Sequence, residues 1–371
     1  MEEKIKIAIC SPDITNLGGI SRCVVVLIEA LNKKGIVPDY YGVRSDKKKI
    51  KELFNREIRY NFKRIFWLKK ALLYSSWIKN LQLIFKTYDY IFDFTNTLPI
   101  SNNQGNYFSY ILYPEFLTSR GKYNKGFWRI YYLPHRIIAF LRRGLFKNPK
   151  IDIACVSLEI SNLIYNLFGN RFPVLYPPAN ITDFKNEIIK KSGVISVGGF
   201  THEKNQIEQI NIAKKFPEIK FDICGSSKRN PSYYKYLIRA SNKVKNIKLN
   251  SDIPFNALKE KLSHTEVFLN SGREDPFSMA IVEGIAAGCI PLIHNSGGVV
   301  EIVPFEELKY DTIKDAIKKL KNILDMPKAK KKELKERLQE HIQQFGEKYF
   351  IRQLFTIMNH KLKYKTQNRK I

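Results

Sequence analysis

Two carboxylates in the stretch 264–303 have the spacing expected of a ligand-binding site. Asp275 lies in a loop after an apolar run, and Glu283 follows eight residues later. Because eight residues make about two helical turns, we expect Asp275 to cap the mouth of a helix and Glu283 to project from its interior. Pro276 suits the first helical turn, where its missing N–H needs no partner. Helix N-termini bind anions, so the site suits a polyhydroxylated ligand with a phosphate.

The pattern around these carboxylates predicts a βαβ unit. Val267, Phe268 and Leu269 form a short apolar run, the small residues of 279–287 predict a helix, and 290–293 is a second apolar run. A Ser-Gly-Gly turn at 296–298 ends the unit. Such units build parallel sheets, which bind ligands at the carboxyl ends of their strands.

The complete string resembles glycosyltransferase family 4, the retaining transferases of GT-B fold. Its parts are Asp275, Phe277, Glu283, the run Ala286-Ala287-Gly288 and the segment 294–298, and they are most similar to the α-1,2-mannosyltransferases that extend the dolichol-linked oligosaccharide. The resemblance implies an α/β, GT-B protein: two Rossmann-like domains that face each other across a cleft, with a C-terminal helix that crosses back to the first domain.

The resemblance also implies roles for individual residues. Asp275 would contact the hydroxyl groups of the donor sugar, Glu283 the ribose, and Lys204 the donor diphosphate; these three form the implied catalytic set. Lysine suits a phosphate because its ammonium is a compact point charge. The implied substrate-binding residues are Gly18, Gly19, Arg22, Glu115, Gly199, Arg273, Pro276, Phe277, Ser278, Gly297 and Gly298.

Three positions depart from the family pattern. Asp275 stands where the family usually has Glu, Gly199 where it often has Arg, and Leu112 where it commonly has His. Without that His, Glu115 is the substitute for contacting the acceptor, although it is equally well interpreted as an ordinary loop carboxylate. Three residues could supply the charge missing at position 199, and the sequence does not choose among them: His202, Arg273 and Arg22.

The resemblance implies a hexose donor, GDP-mannose, and a lipid-linked or glycan acceptor. The sequence has no Asp-x-Asp motif, so we expect no metal and no other cofactor, with basic residues in the place of Mg²⁺. A displacement on one face of the sugar needs no protein nucleophile. The loop 251–254 lies where relatives hold the nucleotide base, largely through backbone groups.

The charge of the chain points to an anionic partner. Its 63 Lys and Arg against 35 Asp and Glu give a net charge of +28. The segments 59–86 and 120–147 hold seven and eight bases, no acid, and aromatic residues at helical spacing. This composition predicts helices that lie on an anionic membrane surface. The alternative is that their apolar faces pack on the sheet and the bases are solvated. No nucleic-acid-binding motif accompanies the charge, so nucleic acid is not expected.

Length and cysteine content set the remaining expectations. A chain of 371 residues exceeds the size of most single cores, so we predict an N-terminal domain (1–182), a nucleotide-sugar domain (183–348) and a returning helix with a basic tail (349–371). Five widely spaced cysteines predict buried, reduced thiols. With neither a signal peptide nor a membrane-spanning run, we expect a cytoplasmic protein, peripheral on the cytoplasmic face of a membrane.

Three competing functions stay open from the sequence. A sugar-nucleotide epimerase of the same architecture would need acid and base residues that the sequence does not identify. The departures at positions 112, 199 and 275 suit a degenerate protein that binds a sugar nucleotide without turnover. A basic scaffold for membrane or nucleic acid would not depend on nucleotide sugars.

Overall fold

A computed structural model describes most of the chain. The described residues are 5–16, 18–65, 87–96, 106–113, 126–131, 151–184, 191–228 and 230–368, with a few isolated positions between 83 and 144. Backbone contacts divide the chain into two units. The first comprises Met1–Pro178 together with Glu347–Ile371, and the second is Ala179–Gly346. The ranges 1–182, 183–348 and 349–371 stay a prediction about independent domains.

The described part of the first unit contains a parallel sheet in the order β3-β2-β1-β4-β5-β6. Its strands are β1 (Ile7–Cys10), β2 (Asp39–Gly42), β3 (Asn61–Arg64), β4 (Tyr90–Asp93), β5 (Asn106–Ile111) and β6 (Ile151–Cys155). Strand β1 is central and pairs with β2 and β4, with Ala8 opposite Asp39 and Ile91. The strands β1 and β4 are buried along their whole length, as expected where helices cover both faces of a parallel sheet.

The helices of the first unit begin and end where the sequence provides caps. Helix α1 (Gly19–Lys33) follows Gly18, and Gly35 in the left-handed region ends it. Helices α2 (Lys47–Phe54) and α3 (Gly126–Tyr131) are short. Helix α4 (Leu158–Phe168) begins after Ser157, whose hydroxyl accepts the N–H of Ile160.

The helical prediction for 59–86 is wrong at its start. Residues Asn61–Arg64 form the edge strand β3, whose pairing with β2 is a long-range contact that local periodicity does not reveal. Residues 66–86, apart from Leu83, lie outside the described residues, and so does most of 120–147. No helix in the described ranges combines the length and apolarity needed to span a bilayer.

The second unit contains a parallel sheet in the order β12-β11-β10-β7-β8-β9 over its described residues. Its strands are β7 (Val194–Val197), β8 (Phe221–Gly225), β9 (Ile247–Ser251), β10 (Val267–Asn270), β11 (Ile290–His294) and β12 (Lys309–Tyr310). Strands β7 and β10 are neighbours, although the chain passes through β8 and β9 between them. The strand order therefore reverses between β7 and β10, and such a reversal opens a crevice at the carboxyl ends.

Helices cover this sheet and connect its strands. They are α5 (Gln206–Ala213), α6 (Pro231–Ser241), α7 (Phe255–His264), α8 (Met279–Ala286), α9 (Ile313–Asp325) and α10 (Lys328–His341). Short 3-10 turns precede α5 and follow β11. The predicted strand–helix–strand unit around Asp275 is thus β10, α8 and β11. The α/β class with two parallel sheets, predicted from the sequence, is confirmed.

The last helix, α11 (Glu347–Asn368), belongs to the first unit. Its first residue, Glu347, accepts from Arg56 Nη2 at 2.5 Å and lies 3.9 Å from Arg22 Nη1 on α1. Farther along, Lys34 Nζ lies 5.0 Å from the ring centre of Phe355. The helix therefore packs beside α1 through ion pairs and a cation–π contact.

All five cysteines are buried and free, as predicted: Cys10, Cys23, Cys155, Cys224 and Cys289. Burial disfavours the charged thiolate and raises the pKa of Cys155, Cys224 and Cys289 to about 12. These thiols behave as small apolar groups of the core rather than as nucleophiles.

One close backbone approach fixes the loops after β7 and β8. A Cβ on Gly225 would lie 1.9 Å from the carbonyl oxygen of Gly198, and a backbone atom cannot rotate away. We predict that Gly225→Ala lowers the thermal midpoint by roughly 5–10 °C, from about 2–3 kcal/mol of overpacking. The matched control is Gly198→Ala, whose Cβ would make ordinary contacts of 3.6 Å with Lys204. Equal midpoints for the two variants, measured by calorimetry, would contradict this account.

Candidate donor site in the second unit

Three loops meet at the carboxyl edge of the second sheet. They are residues 198–205 after β7, 271–278 after β10 and 294–298 after β11. Two of them flank the reversal of strand order, where open α/β sheets bind their ligands. The predicted residues Lys204, Asp275 and Gly297 lie one on each loop.

Lys204 and Asp275 form an ion pair. Lys204 Nζ donates to Asp275 Oδ2. The Lys204 side chain is 30% exposed and that of Asp275 is 11% exposed, so the pair lies at the surface of the crevice rather than in the core. The two residues are 71 positions apart in the sequence. The structure therefore joins the predicted diphosphate contact to the predicted sugar contact.

The loop that carries Lys204 is held by polar side chains below it. Lys204 ends the 3-10 turn His202–Lys204, and its backbone oxygen accepts from Ser271 Oγ at 3.0 Å. Ser271 Oγ also accepts from Gln209 Nε2 at 2.8 Å. Ser271 is fully buried. Because these bonds tie the β7 and β10 loops together, the backbone of Lys204 is held by the core of the unit.

Asp275 is positioned by an unusual backbone path. Glu274, just before it, has φ +52°, and its N–H donates to Ser296 Oγ at 3.1 Å. Gly297 has φ +78°, and a Cβ there would lie 2.6 Å from both the nitrogen and the oxygen of Asp275. Only glycine fits this approach. Gly298 follows it, buried at the start of a 3-10 turn.

Helix α8 begins at Met279, as the pattern over 279–287 predicts, but the roles predicted for Asp275 and Pro276 at its start are wrong. Ser278 is the N-cap and the helix begins at Met279, so Pro276 lies in the loop and not in the first turn. Asp275 does not cap the helix, because its carboxylate pairs with Lys204 instead. Phe277 packs against Phe345 with ring centres 5.6 Å apart, which holds the loop away from a helical path. Glu283 is half-buried on α8.

A buried carboxylate, which the sequence analysis missed, lies beside the ion pair. Glu208 on α5 is 4% exposed and accepts from Arg273 Nη2 at 3.1 Å. It also accepts from Tyr310 Oη and Asn205 Nδ2, each at 2.9 Å. The sequence signal was weak, because a polar residue at the start of a helix is usually solvated. Glu208 is buried because Tyr310 and Arg273, which come from distant elements, contact it.

The remaining predicted residues of this unit are placed as follows. Gly199 accepts from Gln206 Nε2 at 2.9 Å through its backbone oxygen. The ring of His202 packs 4.2 Å from that of Tyr233. In the loop predicted to hold the base, Asp252 accepts from the hydroxyls of Ser251, Ser226 and Ser227, and these bonds hold the pKa of its carboxyl well below its usual range.

The predicted residues of the first unit are only partly described. Gly18 and Gly19 lie at the start of α1, where Gly18 has extended backbone. Arg22 is buried on the same helix beside Glu347. Leu112 donates its N–H to Asn96 Oδ1 at 2.9 Å. Glu115 lies outside the described residues.

No metal site emerges from the residues that the structure describes. Among them, no group of three or more His, Cys, Asp or Glu side chains is arranged to bind a metal ion. Geometry alone does not test whether the reaction needs a metal. Metal independence therefore stays a prediction.

Comparison with known proteins finds a family match in the second unit. Residues 180–345 match the family described as "Glycosyl transferases group 1". The match covers nearly the whole of the second unit, Ala179–Gly346. The resemblance found in the sequence is therefore confirmed, and the site described above lies within the matched residues.

Curated relatives share part of the chain. One is the enzyme named GDP-Man:Man(3)GlcNAc(2)-PP-Dol alpha-1,2-mannosyltransferase from Xenopus tropicalis, 28% identical over 176 residues, which are 42% of this chain and 36% of that enzyme. The chain spans only 30–42% of the length of the curated relatives that it matches.

Solved structures share the fold over nearly the whole chain. Sucrose-phosphate synthase from Thermosynechococcus elongatus has a TM-score of 0.75 at 14% identity, covering 97% of this chain and 100% of that one. The HepE protein of Anabaena, solved with UDP-glucose, has a TM-score of 0.69 at 12% identity, covering 96% and 100%. The GT-B fold predicted from the sequence is confirmed.

The pKa of His294 gives a test of the site's packing. Burial, and then the nearby Arg273 charge, lower the pKa of His294 below its ordinary value of 6.5. As the pH falls through 6.5, His294 therefore takes up a proton more readily in the unfolded chain than in the folded one. The free energy of unfolding then decreases as the pH falls. We predict a smaller loss of thermal midpoint between pH 7 and 5.5 in His294→Gln than in the natural protein. Identical pH dependence would show that His294 is not buried in this way.

Proposed function

We propose that the protein is a retaining, metal-independent hexosyltransferase that transfers mannose from GDP-mannose to a lipid-linked or glycan acceptor at a membrane surface. The observation that carries the proposal is the Lys204–Asp275 pair at the strand-order reversal of a group 1 glycosyltransferase domain. The names of the curated relatives support the donor, since they specify GDP-mannose.

The reaction develops two opposite charges, and the site must stabilise both. Breaking the anomeric C–O bond develops positive charge on the sugar ring and negative charge on the departing diphosphate. In the proposal, Lys204 stabilises the leaving oxygen, and Asp275 accepts hydrogen bonds from the sugar hydroxyls. Fixed charges of this kind contribute strongly because they need little reorganisation during the reaction. The loop bonds of Ser271 and the backbone fit of Gly297 supply that rigidity.

Donor binding exchanges the partners of the ion pair. Without donor, the ammonium and the carboxylate satisfy each other. With donor, Lys204 turns to a phosphate and Asp275 to sugar hydroxyls, so neither charge is left unpaired. An ion pair near a surface contributes only about 0–1 kcal/mol of stability, so breaking it on donor binding costs little free energy. The pair thus holds the site in a binding-competent arrangement at little cost in affinity.

Glu283 completes the donor site in the proposal. It lies on α8, whose N-terminus follows the Asp275 loop. A half-buried carboxylate on this helix can accept the ribose hydroxyls of a nucleotide whose diphosphate lies at Lys204.

Exposed apolar residues support action at a membrane surface. Phe127 and Ile130 on α3 are 70% and 73% exposed, in a segment that carries eight bases and no acid. Three further apolar residues of this segment are also exposed: Leu133, Ile137 and Phe140. The spacing of these five residues is that expected for one face of a helix. An apolar face with basic flanks is the composition that binds anionic bilayers.

The donor prediction concerns the charge of Lys204. We predict that GDP at a hundred times its dissociation constant stabilises the protein by about 2.7 kcal/mol in thermal denaturation. Loss of a charge-assisted contact in Lys204→Ala should weaken GDP binding about 10- to 100-fold. Lys235→Ala, an exposed lysine on α6, is the matched control and should bind GDP normally.

The same binding measurement, together with an assay of sugar transfer, distinguishes the alternatives. A preference for UDP over GDP would contradict GDP-mannose as the donor, while the donor site itself would stand. Binding of GDP without transfer to any lipid-linked acceptor would favour a non-catalytic sugar-nucleotide binder. Absence of a response to GDP, UDP and ADP would contradict the transferase.

The membrane prediction concerns the exposed face of α3. We predict that Phe127→Ser with Ile130→Ser lowers the partition coefficient onto anionic vesicles about tenfold or more, because interfacial burial of each side chain contributes favourably. The control is Leu158→Ser with Leu167→Ser, which removes exposed apolar area from α4. Co-sedimentation with vesicles measures both. Equal partitioning of the two double variants would contradict a membrane-binding α3.

A further inference from the structure

The donor loops of the second unit have little net positive charge, although the chain is strongly basic. Lys204 is paired with Asp275, so the two charges cancel before a ligand arrives. Glu203 and Glu274 add negative charge to the same loops. The diphosphate of a nucleotide sugar carries two negative charges. A single lysine supplies one positive charge against the two negative charges of such a ligand.

Arg273 is the further strong cation on these loops. Among residues 198–205 and 271–278, all of which are described, Lys204 and Arg273 are the lysine and arginine residues. Arg273 N–H donates to Glu203 O at 3.2 Å, so its backbone is tied to the residue next to Lys204. Its side chain is 57% exposed. The two cations thus project from loops that are in direct contact.

A buried anchor fixes the Arg273 side chain. Its Nη2 donates to Glu208 Oε2 at 3.1 Å, and Glu208 is 4% exposed. Glu208 is itself held by Tyr310 Oη, and burial raises the pKa of Tyr310 well above its ordinary value, so the hydroxyl keeps its proton. A guanidinium has five N–H donors in a rigid fork. One edge can therefore bind the anchor while another faces a ligand.

The other candidates for a second cation are engaged elsewhere. The ring of His202 packs 4.2 Å from Tyr233. Arg22 belongs to the first unit, where it is buried beside Glu347. We propose that Arg273, oriented by Glu208, is the second cation that binds the donor diphosphate. This inference rests on the proposed function and names a residue that determines the selectivity of its site for diphosphates.

The arrangement has a chemical consequence for recognition. Arginine binds phosphate oxygens through two parallel N–H bonds, whereas lysine acts as a point charge. Arg273 therefore adds directional binding of the diphosphate to the charge that Lys204 provides.

The test compares ligands with and without phosphate. GDP binding, or UDP binding if UDP is the tighter ligand, is measured by calorimetry, and the matching nucleoside is measured by saturation-transfer NMR. We expect Arg273→Ala to weaken diphosphate binding about 10- to 100-fold and to leave nucleoside binding unchanged. Arg273→Lys should recover part of the loss. Arg239→Ala, an exposed arginine at the far end of α6, is the charge-matched control.

A second variant guards against misfolding. Arg273→Ala leaves the buried Glu208 carboxylate without its cation, whereas Arg273→Ala with Glu208→Gln removes both charges. The double variant should show the same loss of diphosphate affinity. If both variants bind the diphosphate as tightly as the unmodified protein does, the role of Arg273 is overturned and the proposed function is left intact. Failure of the unmodified protein to bind any nucleoside diphosphate would instead overturn the proposed function.

Discussion

The candidate site depends on one long-range interaction, the ion pair between Lys204 and Asp275. It exists because the second sheet reverses its strand order between β7 and β10, so that loops far apart in the sequence leave adjacent strands at the same edge. A parallel sheet without this reversal would fill the space above β7 with its own connecting helix. The topology therefore opens the crevice, and the ion pair marks its centre.

The surroundings of the pair are built to resist movement. Gly225 and Gly297 allow backbones to approach more closely than a Cβ permits, and Ser271 links two loops through its hydroxyl. Glu208 orients Arg273 from inside the core. Groups fixed in this way need little reorganisation when charge develops on a ligand, which is the usual source of electrostatic stabilisation in enzymes. The strained residue Glu274, at φ +52°, is consistent with a loop shaped for a ligand.

Local sequence patterns were sufficient for the framework and for part of the site. The apolar run before Asp275, the helix after it and the Ser157 cap all follow short-range rules, and the structure contains them. The many-part motif pointed to the family because its residues are in register. The role predicted for Pro276 was wrong because Pro276 lies in the loop before the N-cap Ser278, where Phe277 packs on Phe345.

The features that sequence reasoning missed all depend on tertiary contacts. Glu208 looked like a solvated helix residue until Tyr310 and Arg273 were brought onto it. Strand β3 looked helical because only its pairing with β2 defines it. The choice of Arg273 as the second cation also required the structure, since His202 and Arg22 differ from it in what they contact and not in their chemistry.

The most direct measurement is a crystal structure of the protein with a bound nucleoside diphosphate. The account predicts phosphate oxygens within hydrogen-bond distance of Lys204 Nζ, with Asp275 released from its ion pair and turned toward the position of the sugar. A diphosphate bound elsewhere, with the Lys204–Asp275 pair intact, would contradict the account.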